Sequence, residues 1–150
     1  MTEQPKIEFA KGRPPNFEEI AKVLPQARRS DTVFTYGNVI YVANGQELPQ
    51  SIIAHECVHV QQQFLYGRDA WWERYLRDIA FRFQQETAAH QVEYRIMLND
   101  GNRRERRRAE KLIAQRLAGP LYGNACSPMR ARALLRESLS TDNTRYINED

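Results

Sequence analysis

Residues 55 to 59 read His-Glu-Cys-Val-His and use two of the three histidines in the chain. Side chains four apart on an α-helix stand about one turn above each other. His55 and His59 can therefore both reach one small divalent ion. Glu56 projects about a quarter-turn away, where it can hold a water bound to that ion without entering the coordination sphere, as a general base must. Zn²⁺ suits these donors: it lowers the pKa of bound water towards ~7 and polarises a carbonyl. A chain built on this motif has to fold a helix over it, bring a third ligand from elsewhere, and leave a cleft in front.

The surroundings agree with such a helix. Pro49 stands where a helix can begin after the turn-like Asn44-Gly45, Gly67 where it can end, and 50–66 contains neither Gly nor Pro. On a helical projection Ile52, His55, His59 and Gln63 share one side, while Cys57 and Val60 point away. A catalytic zinc needs a third protein ligand and an open position. The stretch 75–99 also lacks Gly and Pro and carries Leu76, Ile79, Ala80, Phe83, Val92 and Ile96 at helical spacing. Within it Glu86 has the small Ala89 three residues on, which lets a second helix approach closely enough for a carboxylate to reach the ion. His90, one turn beyond Glu86, is the alternative third ligand, or a group that hydrogen-bonds to a ligand or to substrate. Glu93, further along, is expected to be solvated or paired with Arg95 or with arginines of another helix.

With HECVH on one helix and Glu86 in an ExxA setting 27 positions after His59, the chain resembles the gluzincin branch of the zincin metallopeptidases. It is most similar to the minimal gluzincins of bacteria and their phages. The likeness covers roughly residues 32–95. It implies a zincin-like α+β fold: about three strands in a small antiparallel or mixed sheet, packed on an active-site helix and a glutamate helix. It also implies zinc held by His55, His59 and Glu86, with Glu56 as general base and acid in peptide-bond hydrolysis. In that family a Tyr or His stabilises the oxyanion, and His90, Tyr94 and Tyr122 are the candidates. The strand beside the active-site helix is expected to offer its edge to an extended peptide.

Two β-branched and aromatic runs, 32–36 and 39–43, flank Gly37-Asn38 and read as a hairpin whose second, more continuously apolar strand is the more central. A third strand is expected over 6–10 and a helix over 17–27 capped by Asn16. Of the adjacent Trp71 and Trp72, one is expected in the core and the other over the cleft or a contact surface. The arginine-rich stretch 103–108 continues into Ala109, Leu112, Ile113 and Leu117 at helical spacing. It reads as an amphipathic helix with a basic face suited to solvent or an acidic protein partner more than to nucleic acid. A last helix is expected over 129–139. Cys57 and Cys126 make no disulfide framework. Cys57 reads as a small packing residue, and Cys126 offers a thiolate that could cap the zinc.

At 150 residues, 41% hydrophobic content and a net charge of +3, the chain fits one catalytic domain over 1–139. Its core spans 32–99, its helical extension 102–139, and a mobile polar tail follows at 140–150. The start of the chain lacks the apolar stretch of a signal peptide, and no segment reaches membrane-spanning length. The expectation is a cytoplasmic or particle-associated protein acting on a protein or peptide substrate. Two other readings are open. In one, a non-catalytic zinc-stabilised protein uses the basic helix 103–116 to bind a partner or nucleic acid. In the other, a peptidase is held latent by the residues after Gly119.

Overall fold

The computed structural model describes residues 3–99 and 101–140; the tail expected from residue 140 lies outside them from 141 on. Among the described residues the fold is α+β, with six helices and a three-stranded mixed sheet. Strands β1 (Glu8–Lys11), β2 (Val33–Tyr36) and β3 (Val39–Val42) lie in the order β1-β3-β2. β3 is central, parallel to β1 with Phe9 opposite Ile40, and antiparallel to β2 with Thr35 opposite Ile40. Gly37, at φ 64°, makes the tight turn between β2 and β3 without the cost a side chain would meet there. The more apolar strand is the central one, as its sequence predicts, because only a central strand buries alternate residues this fully: Ile40 is 0% exposed and Val42 5%. With Val60 of helix α2 (Gln50–Tyr66) they form the cluster beneath the sheet.

Helix α1 (Phe17–Val23) is shorter than the expected 17–27, because Pro25 cannot donate within a helix and opens a separate 3₁₀ turn (Pro25–Arg28). Asn16 precedes α1 but makes no capping bond with its side chain. The third strand is also displaced, from the expected 6–10 to Glu8–Lys11. The expected helix 75–99 is two helices, α3 (Arg68–Arg77) and α4 (Ile79–Leu98), divided at Asp78. The Asp78 carboxylate accepts from Phe81 N–H, so it caps α4 and replaces the continuation of α3. The C-terminal part follows expectation: α5 (Arg103–Leu117) opens on a reciprocal Asn102/Glu105 capping box, and α6 (Pro128–Ser140) follows a 3₁₀ turn (Pro120–Tyr122). No helix among the described residues is long and apolar enough to cross a membrane.

Two larger clusters flank α4. One joins Phe17 and Ile20 of α1 to Trp71, Trp72 and Tyr75 of α3 and Phe81 of α4. The other joins Tyr94 of α4 to Ile113 and Leu117 of α5, Tyr122, and Ala131 and Leu135 of α6. Both indoles are buried, where one was expected in the core and the other over the cleft or a contact surface, and both also border the cavity beside α2. Trp71 stacks on Tyr75 and Trp72 meets both edge-on, because α1 and β2 close over the side of α3 that would otherwise face water.

Arg82 ties these parts together. It is buried, and its guanidinium donates to the carbonyls of Tyr75 (2.8 Å), Leu76 (2.9 Å) and Leu121 (2.9 Å). The first two are orphan carbonyls at the C-terminal end of α3. The third belongs to the turn that carries Tyr122. Arg82→Met keeps length but removes all the donors, and leaving such groups unpaired costs about 1–3 kcal/mol each. The expected result is a lower urea midpoint, corresponding to a loss of about 3 kcal/mol or more. An unchanged midpoint would show that water satisfies these carbonyls equally well.

Candidate metal centre

Helix α2 turns His55, Glu56 and His59 inward; all are buried, at 8%, 7% and 5% exposure. Helix α4 packs along α2, and its fully buried Ala89 permits the close approach that brings Glu86 to the histidines. His55 Nε2 lies 3.2 Å from His59 Nε2 and 3.3 Å from Glu86 Oε2, and His59 Nε2 lies 3.3 Å from Glu86 Oε1. Ligands at about 2.0–2.1 Å from a tetrahedral ion stand about 3.3–3.4 Å from one another. The nitrogens and carboxylate thus already have the spacing one such ion requires. The donor set of two imidazoles and one carboxylate suits zinc.

Each of the three side chains is held from behind. Glu93 Oε1 accepts from His55 Nδ1 at 2.8 Å, Gln62 Oε1 accepts from His59 Nδ1 at 2.8 Å, and the Tyr75 hydroxyl donates to Glu86 Oε1 at 2.7 Å. Gln62 is in turn anchored by donating to the Gln85 carbonyl, while Trp71 Nε1 donates to the Gln85 side chain. With Nδ1 as donor, each imidazole turns Nε2 towards the cluster, so a metal bound there would take the place of the Nε2 proton while Nδ1 keeps its own. Burial alone would raise the Glu86 pKa, but the imidazoles of His59 and His55 hold it well below the usual carboxylate range. Burial disfavours a charged His55, yet hydrogen bonds to Glu86 and Glu93 hold its pKa well above the usual histidine value. His59 is likewise raised, chiefly by Glu86 against the effect of burial.

Glu93 corrects the sequence expectation. It is 3% exposed, and it bridges His55 to His90, whose Nδ1 is 3.2 Å from the same Oε1. It lies two turns beyond Glu86 on the face of α4 that packs on α2, so its carboxylate meets imidazoles where arginines were expected. Burial opposes its ionisation, but the bonds from His55 and His90 bring its pKa down to about 2. Glu93→Gln offers these rings a weaker acceptor, and loss of such an outer-shell partner costs about 10–100-fold in metal affinity. Zinc titration against a competing chelator is expected to read a fall of that size.

The His55/His59/Glu86 cluster opens on a cavity of about 560 Å³ whose lining includes Thr35, Glu56, His90 and Tyr122. Thr35 Oγ1 donates to Glu56 Oε2 at 2.7 Å, which fixes this carboxylate to β2, apart from the contacts that join His55, His59 and Glu86. Tyr122 is buried, with its ring 6.2 Å from that of His90. Burial first, and then Glu86 nearby, push its phenol well above the usual tyrosine value, so it remains a donor. Tyr94 is not at the site: one residue beyond Glu93, it faces α5 and donates to Glu110 at 2.9 Å. Cys126 packs on the C-terminal cluster and is not among the residues lining the cavity. Cys57 is half-buried, and both thiols are free.

The edge of β2 is partly closed. The Thr35 carbonyl accepts from Gln63 Nε2 (2.8 Å) and Trp72 Nε1 (3.1 Å), and Gly37 N–H donates to Gln63 Oε1 (2.7 Å). An added strand therefore cannot use that carbonyl and is confined to β2 before Thr35, where Val33 and Phe34 line the cavity. Sequence reasoning missed Thr35, Gln62 and Tyr75. Gln62 alone had a local signal, its i+3 spacing from His59. The basic face of α5 is solvent-exposed around Arg103, Arg104, Arg107 and Arg108, as its pattern predicts. No family model, no curated protein and no solved structure matches the chain.

Proposed function

We propose that the chain is a zinc-dependent peptidase with a zincin-like catalytic domain of gluzincin type, in which His55, His59 and Glu86 hold the ion and Glu56 is the general base and acid. The observation that carries this reading is the 3.2–3.3 Å spacing of the three ligand side chains, with Glu56 beside them but bonded to Thr35. When bound, zinc supplies Lewis acidity towards a carbonyl and lowers the pKa of water towards ~7.

The chain's own groups supply the rest. Thr35 occupies Glu56 Oε2 and leaves Oε1 to take a proton from the attacking water and return it to the leaving amine. Tyr122, kept protonated, is positioned in the cavity wall to donate to the carbonyl oxygen as it gains charge. Trp71, Trp72 and Phe34 make part of the wall apolar, which suits a peptide with apolar side chains near the cleaved bond. Three helices and a strand meet at this point, so the acid, the ligands and the wall are held on rigid elements.

The test is cleavage of a mixed peptide library, read by mass spectrometry. Cleavage is expected, with loss on chelation and recovery on addition of one equivalent of Zn²⁺ per chain. A protein that binds one zinc but leaves every peptide intact would favour the non-catalytic reading, in which the exposed basic face of α5 makes the functional contact.

A further inference from the structure

The charged side chains that line the cavity are matched, with one exception. Glu86 and Glu93 lie against imidazoles, Glu56 receives the Thr35 hydroxyl, and Arg29 pairs with Asp31 at 3.2 Å. Arg116 lines the same cavity, is exposed, and makes no side-chain hydrogen bond or ion pair among the described residues. Arg103, Arg104, Arg107 and Arg108 are exposed too, but none of them borders the cavity. Arg116 is held in the wall by its backbone. It stands in the last turn of α5, beside the fully buried Leu117. Gly119 N–H donates to the Arg116 carbonyl at 3.1 Å, and the Gly119 carbonyl accepts from Tyr122 N–H at 3.3 Å and from Asn124 N–H at 3.1 Å. Arg82 fastens the neighbouring Leu121 carbonyl to α4. One rigid corner therefore carries Arg116 at the rim of the cavity and Tyr122 further in, its ring 6.2 Å from that of His90.

A cation in the last turn suits the helix dipole wherever its side chain points. Arg116 also has the position and the unused donors to hold an anion, and the guanidinium fork matches a carboxylate in two parallel bonds. We infer that Arg116 selects the substrate by binding a carboxylate on it, so that the cavity takes peptides with an anionic group close to the cleaved bond. This deepens the peptidase reading and rests on it in one respect, that the cavity beside His55, His59 and Glu86 is the substrate site. An unmodified peptide has two sources of such a group, an Asp or Glu side chain and the C-terminal carboxylate. A phosphate group fits less well, because its charge of about −1.5 to −2 exceeds that of one arginine in a wall that also carries Glu56. The apolar surface of Phe34, Trp71 and Trp72 takes the neighbouring side chains. Arg116 grips the substrate away from the reacting atoms, so its loss is expected to raise KM and leave kcat unchanged.

The test is calorimetric titration of N-acetylated apolar peptides into the zinc-loaded full chain carrying Glu56→Gln, so that bound peptides are not consumed. The reference peptide is neutral, with an amidated C-terminus. It is compared with the same peptide bearing a free C-terminus, and with amidated peptides carrying Glu at each position in turn. At least one carboxylate peptide is expected to bind about 5–10-fold more tightly than the reference, the worth of a bidentate but partly solvated charge pair. Which peptide gains identifies the source of the carboxylate. Arg116→Gln in the same background is expected to abolish the gain, Arg116→Lys to keep part of it, and Arg107→Gln, outside the cavity, to keep all of it. Equal or absent binding of all the peptides would overturn the inference. So would a gain that survives Arg116→Gln, which would place the carboxylate on the metal. Cleavage by the chain with Glu56 intact is scored separately. An Arg116-dependent gain without cleavage of any peptide would remove the peptidase reading and leave the carboxylate site standing, and cleavage without the gain would do the reverse.

Discussion

Glu56→Gln is expected to lower peptide cleavage by about 10²–10⁴-fold, the usual worth of a positioned general acid–base, while one zinc per chain is retained. The substitution separates base from ligand because Glu56 is bonded to Thr35 and is not part of the contacts joining His55, His59 and Glu86. Glutamine keeps the length of the side chain, and its carbonyl oxygen still accepts from Thr35 Oγ1, so neither β2 nor α2 loses its anchor. Its amide cannot take a proton from water. The measurement is initial rate on a peptide that the parent cleaves, alongside zinc content by elemental analysis. Parent-like turnover would remove Glu56 from the chemistry, and loss of zinc would put it among the ligands. Thr35→Val should shift the rate in the same direction but by less, since it frees the Glu56 carboxylate without removing it.

Much of this site was legible because its information is local. The i,i+4 spacing of His55 and His59 puts both on one face of any helix that forms there, and a run from 50 to 66 without Gly or Pro makes that helix the natural choice. Glu86 was reachable by the same logic, as a carboxylate one turn from a small residue on the next long apolar pattern. The break at Asp78 was missed because Asp is neither Gly nor Pro, although its preference for the start of a helix is as physical as theirs. Glu93 and Tyr94 were misread for a different reason. They are neighbours on α4 and face opposite partners: one meets His55 of α2, the other Glu110 of α5. Periodicity gives the angle between two side chains but not which neighbour lies in each direction. Thr35 and Tyr75 reach the site from β2 and α3, so their role depends on long-range packing that no short pattern encodes.

Glu86→Ala is expected to weaken zinc binding by more than the roughly 10–100-fold typical of an outer-shell change, enough to leave the purified protein with markedly less than one zinc per chain. The carboxylate lies 3.3 Å from His55 and from His59, so its removal takes away both a donor and the negative charge that would offset a divalent ion in a buried site. The same change strips the buried Tyr75 hydroxyl of its acceptor, at a cost of about 1–3 kcal/mol. Glu86→Gln therefore belongs beside it: glutamine can still accept from Tyr75 yet carries no charge, and it separates loss of the ligand from damage to the fold. If both variants lose zinc and only Glu86→Ala is less stable, the carboxylate is a ligand and the Tyr75 bond is structural support. Zinc held by Glu86→Ala with undiminished affinity would remove Glu86 from the ligand set altogether. Cleavage activity should follow metal content across this series, because Glu56 has nothing to act on when water is no longer activated beside it.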